Sequence, residues 1–230
     1  MYGIIGAMDE EISAYLDEIE LHTSHNWRGH RFYQGLLFGK PVIVVKTGVG
    51  KVLSAMITQR MLDSFPIDRI IFTGIGGSIN KVYEIGDIVI GRDTVQHDLD
   101  TTALGLPRGL IPYTDLRIIP CDHEKVEELF QLATAIGTSH MGRILTGDVF
   151  VAHRDDSRYN YLRDELAGDV VEMEGASVGT VAYFNGVPFN LIRVISDRAD
   201  GSAPKNFKDF LQDASKTTKK LIQAFLGRVP

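Results

Sequence analysis

Three acidic side chains stand where strand-like segments of the sequence end. Glu172 and Glu174 flank a methionine directly after a pair of valines, and Asp197 follows the largely apolar run 191–195. Open α/β folds bind ligands beside the carboxyl ends of their strands, so these carboxylates are expected to line a binding site. The simpler alternative for the two glutamates is that they cap the helix that follows.

Two further charged residues join this group. Glu11 follows the first apolar segment, near the start of a predicted helix, where a surface partner for the helix dipole is the simpler interpretation. Arg193 interrupts an apolar strand, and burying an arginine is costly unless it is paired. Glu11, Glu174, Arg193 and Asp197 would converge from several strand ends. This predicts an acid–base site that breaks a C–O or C–N bond.

Motifs for cofactors and for other chemistries fail on inspection. Segment 48–51 ends like a phosphate-binding loop, but positions 45 and 52 are both valine, so the Walker A pattern is absent. Segment 74–77 begins like a dinucleotide fingerprint, but its third glycine is replaced by Ile79. The histidines show no H-E-x-x-H spacing, and no G-x-S-x-G elbow is present. We therefore predict neither a metal nor an organic cofactor.

The elements that would position these residues alternate along the chain between strand-like and helix-like patterns. Strands are predicted at 2–6, 31–38, 42–46, 70–73, 85–94, 143–146, 170–173 and 189–195. Helices are predicted around 12–19, 53–62, 126–136, 175–184 and 210–225. This alternation predicts an α/β class: one domain over residues 1–230 with a mixed, mostly parallel central sheet covered by helices. Residues 98–120 show no period and are predicted to form a lid or binding loop.

Composition and charge exclude several classes of protein. The 230 residues are 44% hydrophobic and 23% charged, which is typical of a globular domain. A net charge of −6 lacks the footprint of a protein that binds nucleic acid or an anionic membrane. No apolar run is long enough to span a bilayer. The single cysteine fits a reducing compartment, so a cytoplasmic location is expected.

Seven motifs occur in an order that resembles a known family. They lie at 5–11, 47–52, 73–77, 86–89, 147–150, 171–176 and 193–197. Together they resemble the bacterial 5′-methylthioadenosine/S-adenosylhomocysteine nucleosidases within the nucleoside phosphorylase superfamily, over nearly the whole chain. The resemblance implies a nucleoside phosphorylase-like fold and hydrolysis of an N-glycosidic bond, releasing adenine and a 5-substituted ribose. 5′-Deoxyadenosine is a further expected substrate.

The resemblance also implies the roles of the charged residues. Asp197 would protonate N7 of adenine as the general acid, with Ser196 steadying it. Glu11 would position and activate the water that attacks the anomeric carbon. Glu174 would bind the ribose hydroxyls, and Arg193 would help to orient the water and Glu174. A carboxylate beside the ribose suits a transition state that is cationic at the sugar.

Contacts with base and sugar are implied in the same way. Phe150 would stack on adenine while the backbone of Val151 reads its edge, Met173 would pack against the sugar, and Phe207 would close over the base. The remaining substrate contacts are expected from Met8, Val49, Gly76 and Glu172.

Two positions depart from the family pattern. Ile75 stands where many members carry a small or hydroxyl residue, so a side-chain hydrogen bond to water is lost there. Leu104 occupies a place that is often aromatic, in a loop (98–113) that covers the 5′ substituent partly across a dimer interface. The resemblance thus implies a homodimer with a lid that includes Leu104, and it leaves the 5′ group open.

Three other functions stay open at this point. A purine nucleoside phosphorylase of the same fold would need cations beside the first strand–helix loop; this loop is acidic, although Arg28 and Arg31 lie not far along the chain. A relative that binds nucleosides without turnover would not need Glu11, Glu174 and Asp197 together. A 6-amino-6-deoxyfutalosine hydrolase would share the chemistry and differ only in the 5′ group.

Overall fold

The computed structural model describes residues 1–200 and 207–228, with side chains for all of these except 207–209 and 228. The strands are β1 (Tyr2–Gly6), β2 (Glu20–Trp27), β3 (His30–Leu37), β4 (Lys40–Lys46), β5 (Arg69–Ser78), β6 (Ile88–Gln96), β7 (Ile119–Pro120), β8 (Ser139–Thr146), β9 (Val170–Glu172) and β10 (Phe189–Asp197). The helices are α1 (Asp9–Leu16), α2 (Lys51–Ser64), α3 (His123–Thr134), α4 (Tyr161–Asp164), α5 (Gly175–Phe184) and α6 (Phe207–Arg228).

The strands form one mixed sheet that closes on itself over part of its width. β10 pairs with both β5 and β6, so β10, β6, β8, β9 and β5 make a closed ring. β1, β4, β3 and β2 extend in that order from β5, and β7 pairs with β6. Parallel pairing joins β4, β1, β5 and β10, and it also joins β6, β8 and β9. The predicted α/β class with a mixed sheet and flanking helices is confirmed.

The central strands are apolar on both faces because helices cover both faces of the sheet. Ile4, Ile43, Ile71 and Ile192, one from each of β1, β4, β5 and β10, are fully buried in one core cluster. Helices α1 and α6 pack together, as do α2 and α5. The carboxyl ends of the parallel strands thus emerge from a rigid core, which is a suitable base for a precise site.

The sequence did not reveal β2, and it set the end of β5 too early. All residues of β2 but its last are exposed, since β2 is an edge strand that pairs only with β3, and its polar sequence lacks the alternation that marks a half-buried strand. β5 runs past the predicted end at Thr73, through its glycines to Ser78, because it pairs there with β10 and β9.

Residues 98–120 are mostly irregular, as predicted, apart from a 3₁₀ turn (Thr102–Leu104) and the short β7. Among the described residues, no helix has the length and hydropathy that a bilayer crossing requires.

Candidate active site

A cavity of about 200 Å³ opens at the carboxyl ends of β1, β4, β5, β8, β9 and β10. Most of the residues singled out from the sequence lie on its wall. They are Met8, Glu11, Val49, Gly76, Phe150, Val151, Glu172, Met173, Glu174, Ser196 and Asp197. Loops after separate strands thus bring together side chains from positions 8 to 197 of the chain, as the strand-end argument predicted.

Glu11 lies in the first turn of α1, and backbone N–H groups hold its carboxylate. Oε2 accepts hydrogen bonds from the N–H groups of Ala7 (2.6 Å) and Met8 (3.0 Å), and Oε1 accepts one from Ile75 (3.1 Å). Burial raises the pKa of Glu11, and the charge of Arg193 together with these N–H groups opposes that rise. Ile75 contributes through its backbone, so its departure from the family pattern costs Glu11 nothing.

Arg193 and Glu172 form a buried ion pair next to the cavity. The guanidinium Nη2 lies 2.5 Å from Glu172 Oε2, and its carbon atom lies 4.2 Å from the centre of the Phe72 ring. Glu172 also accepts hydrogen bonds from the hydroxyl of Thr146 and the N–H of Gly175 (2.8 Å). Arg193 is not among the residues that line the cavity, and its ion-pair partner is Glu172. That Arg193 helps to orient the water and Glu174 stays a prediction.

Glu174 precedes α5 as its N-cap residue, but its side chain makes no capping bond and turns toward the cavity. Its Oε1 accepts a hydrogen bond of 2.8 Å from the N–H of Gly50, at the start of α2. Burial, followed by the charge of Glu172, raises the pKa of Glu174 to about 8, while Gly50 and Arg193 oppose the rise. A carboxyl group with this pKa can hold or release a proton near neutral pH.

Asp197 ends β10 and lines the cavity. Its Oδ2 accepts a hydrogen bond from the Ser196 hydroxyl (2.8 Å), and its Oδ1 accepts one from the N–H of Ala199 (2.8 Å). Ala199 is buried and has a φ of +45°, a left-handed conformation that alanine rarely adopts. The strained turn aims an N–H group at the carboxylate, which fixes the orientation of Asp197.

The aromatic and apolar residues expected to cover the substrate differ in where they lie. Phe150 is 64% exposed at the mouth of the cavity, beside the buried Val151. Leu104 is 77% exposed in the 98–120 loop and is not part of the cavity wall of its own chain. The side chain of Phe207 lies outside the described residues.

Sequence reasoning missed five residues of the wall as site residues: Ala7, Ile75, Gly77, Val149 and Val171. Each adjoins a residue that was identified and lies within one of the seven motifs, so membership of a motif was the available signal. Within residues 1–200 and 207–228, no group of three His, Cys, Asp or Glu side chains is placed to hold a metal ion.

A partly closed α/β sheet that carries buried carboxylates around a small cavity at its strand ends is the arrangement of an acid–base enzyme. The chain belongs to the phosphorylase superfamily, whose family model matches residues 1–227.

Relatives in this family are similar over their full length. A 5′-methylthioadenosine/S-adenosylhomocysteine nucleosidase from Exiguobacterium sp. is 33% identical, with 99% of this chain and 97% of the relative covered. An aminodeoxyfutalosine nucleosidase from Helicobacter pylori is 35% identical, with 99% and 98% covered. The crystal structure of the Neisseria meningitidis 5′-methylthioadenosine/S-adenosylhomocysteine nucleosidase in complex with methylthio-immucillin-A superimposes with a TM-score of 0.91 at 30% identity, covering 99% of both chains.

Proposed function

We propose that this protein hydrolyses the N-glycosidic bond of 5′-methylthioadenosine and S-adenosylhomocysteine, and of 5′-deoxyadenosine, to adenine and a 5-substituted ribose. The observation that carries this proposal is the placement of Glu11, Glu174 and Asp197 around one cavity, each with a different set of partners. Three separately held carboxylates suit a reaction that needs a proton donor, a base and a stabiliser of positive charge.

Asp197 acts at the base end of the cavity. Its neighbours on the wall include Phe150 and Val151, which supply an aromatic face and a backbone edge for a purine. With both oxygens held by Ser196 and Ala199, a protonated Asp197 delivers its proton to N7 and makes adenine a better leaving group.

Glu11 and Glu174 act at the sugar end. Glu11 takes a proton from the water that attacks the anomeric carbon. Glu174 binds the ribose hydroxyls and, once ionised, stabilises the positive charge that develops on the sugar. Met173 packs against the sugar, and Met8, Val49 and Gly76 complete the wall.

A phosphorylase reaction is disfavoured because the carboxylate of Glu11 already accepts the N–H groups at the N-terminus of α1. The N–H groups of Ala7 and Met8, which could otherwise bind an anion, donate to the carboxylate of Glu11. Arg28 and Arg31 belong to the β2–β3 hairpin, and neither lies on the cavity wall. Water is therefore the proposed nucleophile.

The 5′ substituent decides between the two groups of relatives. 6-Amino-6-deoxyfutalosine is the second candidate substrate, because relatives with this activity in their names are as similar as the methylthioadenosine nucleosidases. We further propose that Leu104 reaches the 5′ group of a second copy in a homodimer, and that Phe207 closes over the base. We also propose a cytoplasmic location, which the single cysteine favours, and a role in methionine salvage, which a methylthioadenosine substrate implies.

A substrate panel tests the proposal. Adenine release is measured from methylthioadenosine, S-adenosylhomocysteine, 5′-deoxyadenosine and 6-amino-6-deoxyfutalosine, each with and without inorganic phosphate. We expect release that does not depend on phosphate and that no chelator abolishes. A rate that requires phosphate identifies a phosphorylase, and tight binding without release identifies a protein that binds nucleosides without turnover.

A further inference from the structure

Three side chains outside the cavity wall connect two of the loops that form it with the start of the 98–120 loop. The ammonium group of Lys51 lies 2.6 Å from Oδ1 of Asp98, and Oδ2 of Asp98 accepts a hydrogen bond of 2.9 Å from the N–H of Asp148. Oδ1 of Asp148 accepts one of 2.8 Å from the N–H of Lys51. The three residues thus close a ring of contacts, which we call the three-loop ring.

Two members of the three-loop ring lie within two residues of the cavity wall along the chain, and the third begins the loop that carries Leu104. Lys51 follows Gly50, whose N–H donates to Glu174. Asp148 precedes 149–151, the segment that carries the proposed base contacts. Asp98 begins the long loop that continues to Leu104.

The ion pair in the three-loop ring is partly buried. The Lys51 and Asp98 side chains are 18% and 20% exposed, so water screens their ion pair only partly. The pKa of Asp98 is lowered: burial alone would raise it, but the contacts with Lys51 and the Asp148 N–H outweigh burial. The lowered pKa keeps Asp98 charged near neutral pH, and charge-assisted hydrogen bonds are the stronger kind.

We propose that Lys51, Asp98 and Asp148 act as positioning residues. They hold three parts of the molecule in fixed positions relative to one another: the ribose contact of Glu174, the base-binding segment 149–151 and the start of the 98–120 loop. This inference rests on the proposed function for its effect on substrate, although the coupling of the loops stands independently of it. None of the three residues lines the cavity, so none takes part in the chemical step. The ring instead affects how well the nucleoside binds, through the positions of the loops.

The ring also influences the ionisation of Glu174. The N–H of Gly50 favours the charged form of Glu174, so a displaced Gly50 raises the pKa of that carboxyl further. The other charges that act on Glu174 are those of Glu172 on β9, Arg193 on β10 and Glu11 on α1, and the three-loop ring touches none of them. A loosened ring therefore weakens substrate capture most at pH values where Glu174 must compete with protons.

Paired substitutions test the ring. Lys51→Met removes the ammonium and keeps the alkyl stem, and Lys51→Arg restores the charge. Asp148→Ala removes the acceptor, and Asp148→Asn keeps an oxygen in its place. Lys219→Met is the matched control, because Lys219 forms an ion pair of the same length (2.6 Å) with Glu18, away from the cavity.

The first measurement is hydrogen exchange in segments 48–51, 98–100 and 147–151, which needs no substrate. In Lys51→Met and Asp148→Ala we expect faster exchange in all three segments, near-wild-type exchange in Lys51→Arg and Asp148→Asn, and no change there in Lys219→Met. Faster exchange confined to the substituted segment, or equal effects in Lys219→Met, would overturn the proposal.

The second measurement is adenine release as a function of pH. For Lys51→Met and Asp148→Ala we expect KM to rise about tenfold, the size expected for one charged hydrogen bond, with kcat changed less than about threefold. The loss of kcat/KM should be larger at pH 6.5 than at pH 9. A loss that is the same at every pH, or that falls on kcat alone, contradicts the positioning role. Failure of the wild type to release adenine instead counts against the proposed function, and the exchange experiment then decides on the ring.

Discussion

At the scale of single residues, the partners of each carboxylate distinguish its role. Glu11 accepts three backbone N–H groups, Glu172 neutralises Arg193, and Glu174 has one backbone donor. Asp197 is held by one hydroxyl and one N–H group. The least satisfied of the four, Glu174, has the most room to bind hydroxyl groups of a ligand.

Asp197→Asn tests the general acid. The amide is nearly isosteric but cannot deliver a proton to N7, so we expect adenine release to fall by about 10²-fold or more while a transition-state-like inhibitor still binds. Steady-state rates and inhibitor titration are the measurements. More than about a tenth of the wild-type rate would contradict the role of Asp197.

Glu11→Gln tests the base that activates water. Glutamine keeps the size of the side chain but is not basic, so we expect hydrolysis to stop. One of the three N–H groups would then face the amide NH₂ group, so a loss of about 1–2 kcal/mol in the free energy of unfolding should accompany it. Melting temperature and adenine release are compared. A lower melting point with a near-normal rate would show that Glu11 only stabilises α1.

His97 predicts a loss of stability in acid. Its imidazole is fully buried, Nδ1 lies 2.9 Å from the Tyr161 hydroxyl oxygen, and Nε2 has no hydrogen-bond partner. Burial lowers the pKa of His97 to about 4 from an ordinary value of 6.5. Between these values the unfolded chain binds a proton that the folded protein does not. The free energy of unfolding should therefore fall as pH drops from 6.5 to 4, by about 3 kcal/mol at most from this group.

Urea unfolding from pH 7 to pH 4 measures this effect, with His97→Gln as the comparison. The variant has no titrating group at this position, so its stability should depend less steeply on pH. Parallel curves for the two proteins would show that His97 does not carry the acid sensitivity.

At the scale of elements, the carboxyl end of β5 forms the floor of the site because it is rich in glycine. A Cβ atom on Gly74 would lie 2.5 Å from Oε1 of Glu11 and 3.2 Å from Nη1 of Arg193. On Gly77 it would lie 3.0 Å from Oδ1 of Asp197. The missing side chains let two carboxylates from distant parts of the chain lie against one strand.

Gly74→Ala is therefore expected to displace Glu11 and to lower adenine release by at least about tenfold, an effect equivalent to ~1.4 kcal/mol. Gly137→Ala is the control, because a Cβ atom there has no neighbour within 4 Å and its φ is not left-handed. Adenine release and melting temperature are measured for both. Equal activities would show that Glu11 tolerates displacement.

At the scale of the whole molecule, exposed apolar side chains lie near the cavity mouth and in the long loop. Val52 and Leu104 are each 77% exposed, and Met56 and Phe150 are also exposed. If a second copy of the chain covers them, these apolar groups are removed from water, as at an interaction surface.

We predict a homodimer at micromolar concentration, detectable by sedimentation velocity. Val52→Glu would place a charge in the expected interface and should shift the protein toward the monomer, whereas the same change at the exposed Val82, which lies in the β5–β6 loop, should not. A wild-type protein that sediments as a monomer would contradict both the dimer and the proposed reach of Leu104 into a second active site.

The sequence by itself determined the class of fold and the identity of the acidic residues. Apolar runs such as β10 must be buried on both faces, and a charged residue directly after one, such as Asp197, must emerge at a strand end. The segment of small residues that Asn185 and Gly186 end was also predicted as a helix, and its bounds, Gly175–Phe184, are those of α5. These features depend on the types of residues that are close together along the chain, and such patterns can be read from the sequence.

Tertiary structure alone decided how the pieces meet. Only the fold pairs Arg193 with Glu172, brings the N–H of Ile75 to Glu11, and closes the sheet through β10. It also makes β2 a strand, because its backbone pairs with β3 although its side chains face solvent. These contacts join residues far apart in the chain, often through backbone groups that every amino acid carries, so residue type and spacing hold no record of them.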